Sequence, residues 1–198
     1  MGLIFNYLEG ETPLDNDDLD GLLIKTINNK RDLDEFEQKN IESAIFYFSR
    51  KKIVLNGFLS EDFIKLLHKK MFSSVWSWSG KFRTSNKNIG VDWPIISVEL
   101  KKLLDDCFYW IENKIFAEEE IAIRLKHRIV AIHPFNNGNG RHSRLLADLM
   151  MKKIFNKKYF SWGSDDLYKE NKARNIYLKA LKKADNNYYE DLINFAKS

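Results

Sequence analysis

The residues best suited to chemistry lie close together, in the string HPFNNGNGRHSR that runs from His133 to Arg144. Pro134 cannot continue an incoming helix, so His133 should stand at a helix end with its imidazole directed into a cavity. An imidazole has an unperturbed pKa of about 6.5, which suits a group that takes a proton near neutral pH. His133 is therefore the candidate general base.

The glycines that follow predict a phosphate-binding turn. Gly138 and Gly140 permit backbone conformations that other residues avoid, and they keep side chains out of the path of a ligand. The amides of Gly138, Asn139 and Gly140 lead into a helix, whose positive end attracts anions. Arg141 and Arg144 are one helical turn apart, so both can reach one polyphosphate. Each feature alone is more often structural, and their coincidence indicates a site that handles phosphate.

The chain has 198 residues, of which 44% are apolar and 14% aromatic, a composition that is typical of one packed globular domain. The sequence contains no linker and no repeat. The net charge of +4 comes from 32 cationic and 28 anionic residues mixed along the chain, so direct nucleic-acid binding is not expected. The single Cys107 lies in an apolar helical stretch, which indicates a buried thiol in a reducing compartment. Met1–Gly10 has no basic leader and no long apolar window occurs, so we expect no membrane segment and a cytoplasmic location.

Apolar residues recur at helical spacing along most of the chain. The spacing predicts a short helix after Asp15, a longer one opened by a capping box of Asp32 and Glu35, and helices that begin at Ser60 and Ser97. The expected buried stripe of the second helix is Leu33, Phe36, Ile41, Ala44, Ile45 and Phe48. Further helices are expected over Glu118–Ile132, after the glycine-rich turn, over Asp165–Ala184 and over Tyr188–Ala196.

Only the segment Lys81–Ile96 departs from helical spacing. Its short β-branched and aromatic pieces around Asn88, Ile89, Gly90 and Val91 predict a hairpin or an extended flap. The fold class is therefore mainly α with one small β element.

The string HPFNNGNGR, followed by Arg144, resembles the signature H-P-F-x-[D/E]-G-N-G-R-x-x-R of the Fic (Fic/Doc) family. Beyond this string, Trp78–Arg83, Lys87–Val91 and Tyr177 with Ala180–Tyr189 resemble a Fic subgroup called mobile mystery protein B. The resemblance implies a bundle of about six to eight helices with a β-hairpin flap over a nucleotide site. It also implies one Fic-like domain over 1–198, with N-terminal helices in 1–50 and a core in 51–198 that holds the motif loop 133–144.

The resemblance also implies a reaction, the transfer of AMP from ATP to a protein. By that resemblance, His133 would take the proton from a target Ser, Thr or Tyr hydroxyl, and the oxygen would attack the α-phosphorus of ATP. Gly138, Asn139 and Gly140 would hold the α- and β-phosphates, and Arg141 and Arg144 the outer phosphates. The flap, Lys87, Asn88, Ile89, Gly90 and Val91, would align the target backbone as an added strand.

Asn137 is a departure from the family signature. The family usually has Asp or Glu there, and that carboxylate holds Mg²⁺ against the phosphates. An amide oxygen can bind Mg²⁺ without adding charge, so we expect weaker metal affinity and greater dependence on ATP itself. In the Doc branch a Lys takes the place of Gly140 and the reaction becomes phosphorylation, so Gly140 favours AMP transfer.

Regulation is left open by the sequence. Many Fic proteins are restrained by a helix bearing [S/T]-x-x-x-E-[G/N], whose Glu pairs with the second motif Arg, and this chain has no match. Glu35 or Glu37 could serve by position, although a solvated helix face is the simpler interpretation of each. A separate regulatory or antitoxin-like partner is a further possibility. The alternative functions are a catalytically weak nucleotide-binding regulator, suggested by Asn137, and a Doc-like phosphotransferase.

Overall fold

The computed structural model describes residues 12–163 and 172–198. In these ranges the chain forms nine α-helices. Seven of them have eight residues or more, a number that agrees with the expected bundle of six to eight helices. No helix in the described ranges is long and apolar enough to cross a membrane. The helices are α1 Asn16–Asp20, α2 Lys30–Ser49, α3 Leu55–Phe58, α4 Glu61–Phe72, α5 Ile96–Glu112, α6 Glu118–Ile132, α7 Asn139–Leu149, α8 Lys172–Ala184 and α9 Glu190–Lys197.

Local capping explains where several helices begin. The Ser60 side chain accepts a hydrogen bond from the Phe63 N–H and starts α4 where the sequence predicts it. The predicted capping box at Asp32 is wrong, because the side chain of Asn29 caps α2 by accepting from the Asp32 N–H and the helix starts at Lys30. The predicted helix Glu118–Ile132 has the observed bounds of α6.

Helix α6 lies at the centre of the bundle, in contact with α5, α7 and α9. Its buried apolar residues are Ile121, Ala122, Ile123, Leu125, Ile129 and Ile132. Helix α2 packs on α4, and α8 on α9. A short π-helical turn, Met150–Ile154, extends α7.

The buried face of α2 differs from the expected stripe. Phe36 and Ile45 are exposed, whereas Glu37 and Asn40 are buried. Both polar side chains have partners, since Asn40 Nδ2 donates to the Lys70 carbonyl at 3.0 Å and Glu37 accepts from Trp76 Nε1 at 2.6 Å. A buried polar residue is tolerated where its hydrogen bonds are made, so polar pairing set the rotation of this helix.

The predicted β-hairpin over 81–96 is wrong. No strand occurs in that segment, which consists of bends and a 3-10 turn at Trp93–Ile95. Its backbone pairs instead with the end of α6, the Arg83 N–H with the Pro134 carbonyl at 3.0 Å and the Val91 N–H with the Ile132 carbonyl at 3.3 Å. A hairpin would need backbone N–H groups of this segment for pairing within the segment, and here those of Arg83 and Val91 are bonded to the end of α6 instead.

Two expectations extend beyond the described residues. The expectation that Met1–Gly10 is no basic leader concerns residues that lie wholly outside them, as do residues 165–171 of the expected helix Asp165–Ala184. The remainder of that helix is described as α8.

Candidate active site

His133 stands at the C-terminal end of α6, where the helix ends in a left-handed turn. Its backbone has φ 55° and ψ 59°, and its carbonyl accepts from Arg83 Nε at 2.7 Å. Pro134 follows and prevents a further helical turn, as the sequence predicts. The side chain is directed inward and is only 4% exposed.

The imidazole of His133 has a partner that the sequence does not reveal. Nε2 lies 3.1 Å from the hydroxyl of Thr12, and Nδ1 has no hydrogen-bond partner among the described residues. Burial is the largest cause that lowers the pKa of His133 to about 4, and the nearby charges of Arg83 and Lys87 contribute to the same shift. The ring is therefore neutral at physiological pH, the form in which one nitrogen can accept a proton.

The loop between α6 and α7 is held from inside by Asn139. Its side chain accepts from the Phe135 N–H at 3.0 Å and donates to the Phe135 carbonyl at 2.8 Å. Phe135 is fully buried and stacks on His68 with ring centres 3.7 Å apart. The Asn139 side chain thus fixes the loop, while its backbone amide belongs to the first turn of α7.

His68 adds a second internal support to the loop. Its Nδ1 accepts from the Gly80 N–H at 3.0 Å, so the proton of the neutral ring is on Nε2 and is donated to the Asn137 carbonyl at 3.0 Å. Burial holds the pKa of His68 well below its usual value. This neutral histidine ties the loop to α4 and to the turn at Gly80.

The two glycines of the loop have different roles. Gly138 has φ +78°, and a Cβ there would come within 2.6 Å of the Phe72 ring, so both conformation and space require glycine. Gly140 lies within the helix, and a Cβ there would meet nothing within 4 Å. The expectation that position 140 needs glycine for its backbone conformation is therefore wrong. Its lack of a side chain leaves open space beside the start of α7.

The start of α7 presents N–H groups to this space. The first intrahelical bond of the turn joins the His142 N–H to the Gly138 carbonyl at 2.9 Å. The N–H groups of Asn139, Gly140 and Arg141 precede that bond, so they have no acceptor within the helix. With the helix dipole, they can hold a phosphate.

Asn137 caps the loop in this structure. Its Oδ1 accepts from the Gly138 N–H at 2.7 Å and from Arg141 Nη2 at 3.3 Å, and its Nδ2 donates to the Thr12 carbonyl at 2.9 Å. An oxygen that already faces a guanidinium cation does not fit a divalent metal ion in this conformation. The described residues also contain no group of three or more His, Cys, Asp and Glu side chains arranged for a metal.

Arg141 forms an ion pair with Glu37. Arg141 Nη1 contacts Glu37 Oε2, and the exposed fractions of the two side chains are 15% and 3%. The other carboxylate oxygen of Glu37 accepts from Trp76 Nε1. Glu37 is thus the acidic residue that α2 brings to the motif, whereas Glu35 is exposed and pairs with Arg31 on the same helix. The interpretation of Glu37 as part of a solvated face is wrong.

Arg144 lies one turn further along α7 and lines the same cleft as Arg141. Its guanidinium is 5.8 Å from the centre of the Tyr177 ring, on α8. The cleft is lined by residues of the N-terminal segment, α2, the flap, the motif loop and α8, among them Thr12, Glu37, Ile89, His133, Gly140, Arg141, Arg144, Arg174 and Tyr177.

Arg83 joins the flap to the end of α6. Its buried guanidinium donates to the carbonyls of Ser85 at 2.8 Å, of Val91 and of His133. Gly90 has φ +106°, and a Cβ there would come within 2.7 Å of His133 Cβ, so only glycine allows this approach. The flap therefore lies directly on the candidate base, with Val91 turned inward and Asn88, Ile89 and Gly90 exposed.

Asp18, in helix α1, connects this helix to both the flap and the motif loop. This carboxylate, 1% exposed, accepts from Lys87 Nζ at 2.7 Å and from Asn136 Nδ2 at 2.6 Å. The sequence predicts only a short helix after Asp15, and Asp18 lies in the first turn of that helix. Thr12, Asp18 and Arg83 were missed as site residues because no local spacing relates them to the motif, whereas the sequence analysis named Glu37 as a possible partner of a motif arginine.

Comparison with protein families matches residues 58–151, which include α4, the flap and the motif loop, to the Fic/DOC family. The matched segment is just under half of the chain and resembles the Fic/DOC family domain. The protein adenylyltransferase Fic of Aedes aegypti is 27% identical over 117 residues, which are 57% of this chain and 23% of that protein. The matched segment thus covers less than a quarter of the length of that relative.

Solved structures show the same fold. Fic-1 from C. elegans has a TM-score of 0.63 at 21% identity, over 80% of this chain and 46% of that one. The BepC protein from Bartonella tribocorum, with bound AMPPNP, has a TM-score of 0.61 at 17% identity, over 96% of this chain and 93% of that one. The helical arrangement of this chain is therefore shared with both of these structures.

Proposed function

We propose that this protein transfers AMP from ATP to a hydroxyl side chain of a target protein. The observation that carries the proposal is the convergence of His133, the start of α7, Arg141 and Arg144 on one cleft. The relative named a protein adenylyltransferase supports the reaction, and the neighbour with bound AMPPNP supports ATP as the nucleotide.

In this proposal His133 Nε2 takes the proton of a target Ser, Thr or Tyr hydroxyl. The oxygen then attacks the α-phosphorus, and pyrophosphate leaves. The N–H groups of Gly138, Asn139 and Gly140 hold the α- and β-phosphates, with the condition that Asn137 releases the Gly138 N–H. Arg141 and Arg144 neutralise the outer phosphates, because preorganised positive charge supplies most of the rate in such transfers.

The flap is proposed to contact the target. Asn88, Ile89 and Gly90 are exposed, and Ile89 lines the cleft. Lys87 is paired with Asp15 and Asp18, and Val91 is bound to the end of α6. A target backbone would therefore meet only the middle of the flap.

Mg²⁺ is a proposed companion of ATP, and the contacts of Asn137 do not fit a metal ligand as they stand. The amide would have to exchange its bonds to Gly138 and Arg141 before its oxygen could face a cation. We therefore assign no step to Asn137 as a ligand and propose that the ATP phosphates provide most of the binding of the ion.

A second candidate function is a catalytically weak nucleotide-binding regulator of a partner protein. It is favoured by the closed contacts of the site, in which Arg141 is paired with Glu37 and Asn137 is an uncharged amide. Doc-like phosphoryl transfer is disfavoured, because Gly140 offers no lysine to the phosphates.

Labelled ATP separates these three functions. The purified protein is incubated with host lysate and ATP labelled at either the α- or the γ-phosphate, with His133→Ala as the control. Protein labelling from the α position alone is expected. Labelling from γ alone would indicate phosphorylation, and no labelling from either position would leave the regulator.

Finer assignments belong to the same proposal. The segments Trp78–Arg83 and Lys87–Val91 support membership of the mobile mystery protein B subgroup. We propose one domain over 1–198, with N-terminal helices in 1–50 and the core in 51–198, and a separate regulatory or antitoxin-like partner. A cytoplasmic location is supported by Cys107, a free buried thiol whose pKa burial raises to about 12.

A further inference from the structure

The segment Thr12–Asp18, here called the strap, crosses the motif loop and is fixed at both ends. At one end Thr12 contacts His133 and Asn137, and at the other Asp18 contacts Asn136 and Lys87. These contacts hold the strap on the same loop that begins the phosphate-binding turn. The position of Thr12 is therefore set by specific hydrogen bonds.

Thr12 places a hydroxyl at the atom that the proposed mechanism uses as base. Its Oγ is 3.1 Å from His133 Nε2, and the residue is 8% exposed. In the tautomer that a base requires, Nε2 is unprotonated and the threonine hydroxyl donates to it. A target hydroxyl in the reaction would have to make this same contact.

Thr12 is also close to the phosphate-binding turn. Its carbonyl accepts from Asn137 Nδ2 at 2.9 Å, and Asn137 is two residues before the first residue of α7. A nucleotide held at the start of α7 would therefore have its phosphates beside the strap. Base, acceptor hydroxyl and phosphate site are neighbours within one chain.

We propose that Thr12 is an internal acceptor, which receives an adenylyl group from a nucleoside triphosphate held at the start of α7. This proposal rests on the proposed function. The Thr12 Oγ–Pα bond forms, the bond from Pα to the bridging oxygen of the β-phosphate breaks, pyrophosphate leaves, and the hydroxyl proton passes to His133 Nε2. Until it reacts, Thr12 also excludes other hydroxyls from Nε2, so self-modification and transfer to other proteins compete for one atom.

The test uses the whole chain with α-labelled ATP, alone and together with lysate, and maps the labelled residue by peptide mass spectrometry. One adenylyl group on Thr12 is expected, at a first-order rate that does not change with protein concentration. Thr12→Ala should lower labelling of the chain at least tenfold, and Thr12→Ser, which keeps the hydroxyl, should retain it. Thr26→Ala, which removes an exposed threonine hydroxyl, is the matched control.

The same assays are run on Glu37→Gln, so that the ion pair on Arg141 cannot account for a missing signal. Labelled lysate proteins without label on Thr12 would overturn the internal acceptor and leave the proposed function intact. No label on any protein would overturn the proposed function and this inference with it. Label on Thr12 at a rate that rises with protein concentration would indicate transfer between molecules and would refute the internal reaction.

Discussion

The ion pair between Glu37 and Arg141 makes a quantitative prediction about nucleotide binding. Arg141 cannot contact a phosphate and Glu37 in the same way at once, so ATP must displace the carboxylate. Glu37→Gln removes the charge and keeps an oxygen for the Trp76 Nε1–H. The substitution should therefore tighten ATP binding while leaving the packing of α2 in place.

The magnitude follows from the burial of the pair. A hydrogen bond between charged groups contributes about 1.5–3 kcal/mol when it is shielded from water, and Glu37 is only 3% exposed at its side chain. Removing that competitor should lower the dissociation constant of ATP about 10- to 150-fold, since about 1.4 kcal/mol corresponds to a factor of ten. The same loss should lower the free energy of unfolding of the nucleotide-free protein by a similar amount.

The assay is isothermal titration with ATP, accompanied by thermal unfolding without nucleotide. Glu35→Gln is the matched control, because Glu35 lies two residues earlier on α2, is exposed, and pairs with Arg31 on the same helix. An exposed pair of this kind contributes little, so the control should change neither quantity. Equal ATP affinities in Glu37→Gln and the unmodified protein would refute the argument that Glu37 competes for Arg141.

Three further predictions concern the base, the second arginine and pH. His133→Ala should preserve ATP binding and lower transfer at least ~10²-fold, measured with α-labelled ATP; an unchanged transfer rate would remove His133 from the mechanism. Arg144→Ala should weaken ATP more than AMP in parallel titrations, and equal effects on both would exclude a contact with the outer phosphates. Burial lowers the pKa of His133 and His142 to about 4, so the unfolded chain binds more protons than the folded chain between about pH 4 and 6.5. The free energy of unfolding should therefore fall as pH falls through this window, by about 2–3 kcal/mol for each histidine, and denaturant titrations that show no fall would contradict the burial of these rings.

The motif loop and several helices could be predicted because their information is local. Pro134 ends α6 at His133, Ser60 caps α4, and the apolar spacing of 118–132 gives α6 its bounds. The glycine at 138 is also a local requirement, since its φ is positive. The sequence by itself therefore determined the order of the elements and the residues that a phosphate site would use.

The contacts that close the site were decided by the tertiary structure. Thr12 meets His133 across 121 residues, and Glu37 meets Arg141 across 104, distances over which neither helical spacing nor a capping pattern carries information. The conformation of the flap was also decided by distant contacts. Arg83 and the end of α6 bind the carbonyl and N–H groups that local propensity assigned to a hairpin. A buried polar group is stable only where its partner lies, and the position of a distant partner is set by the packing of the helices between them.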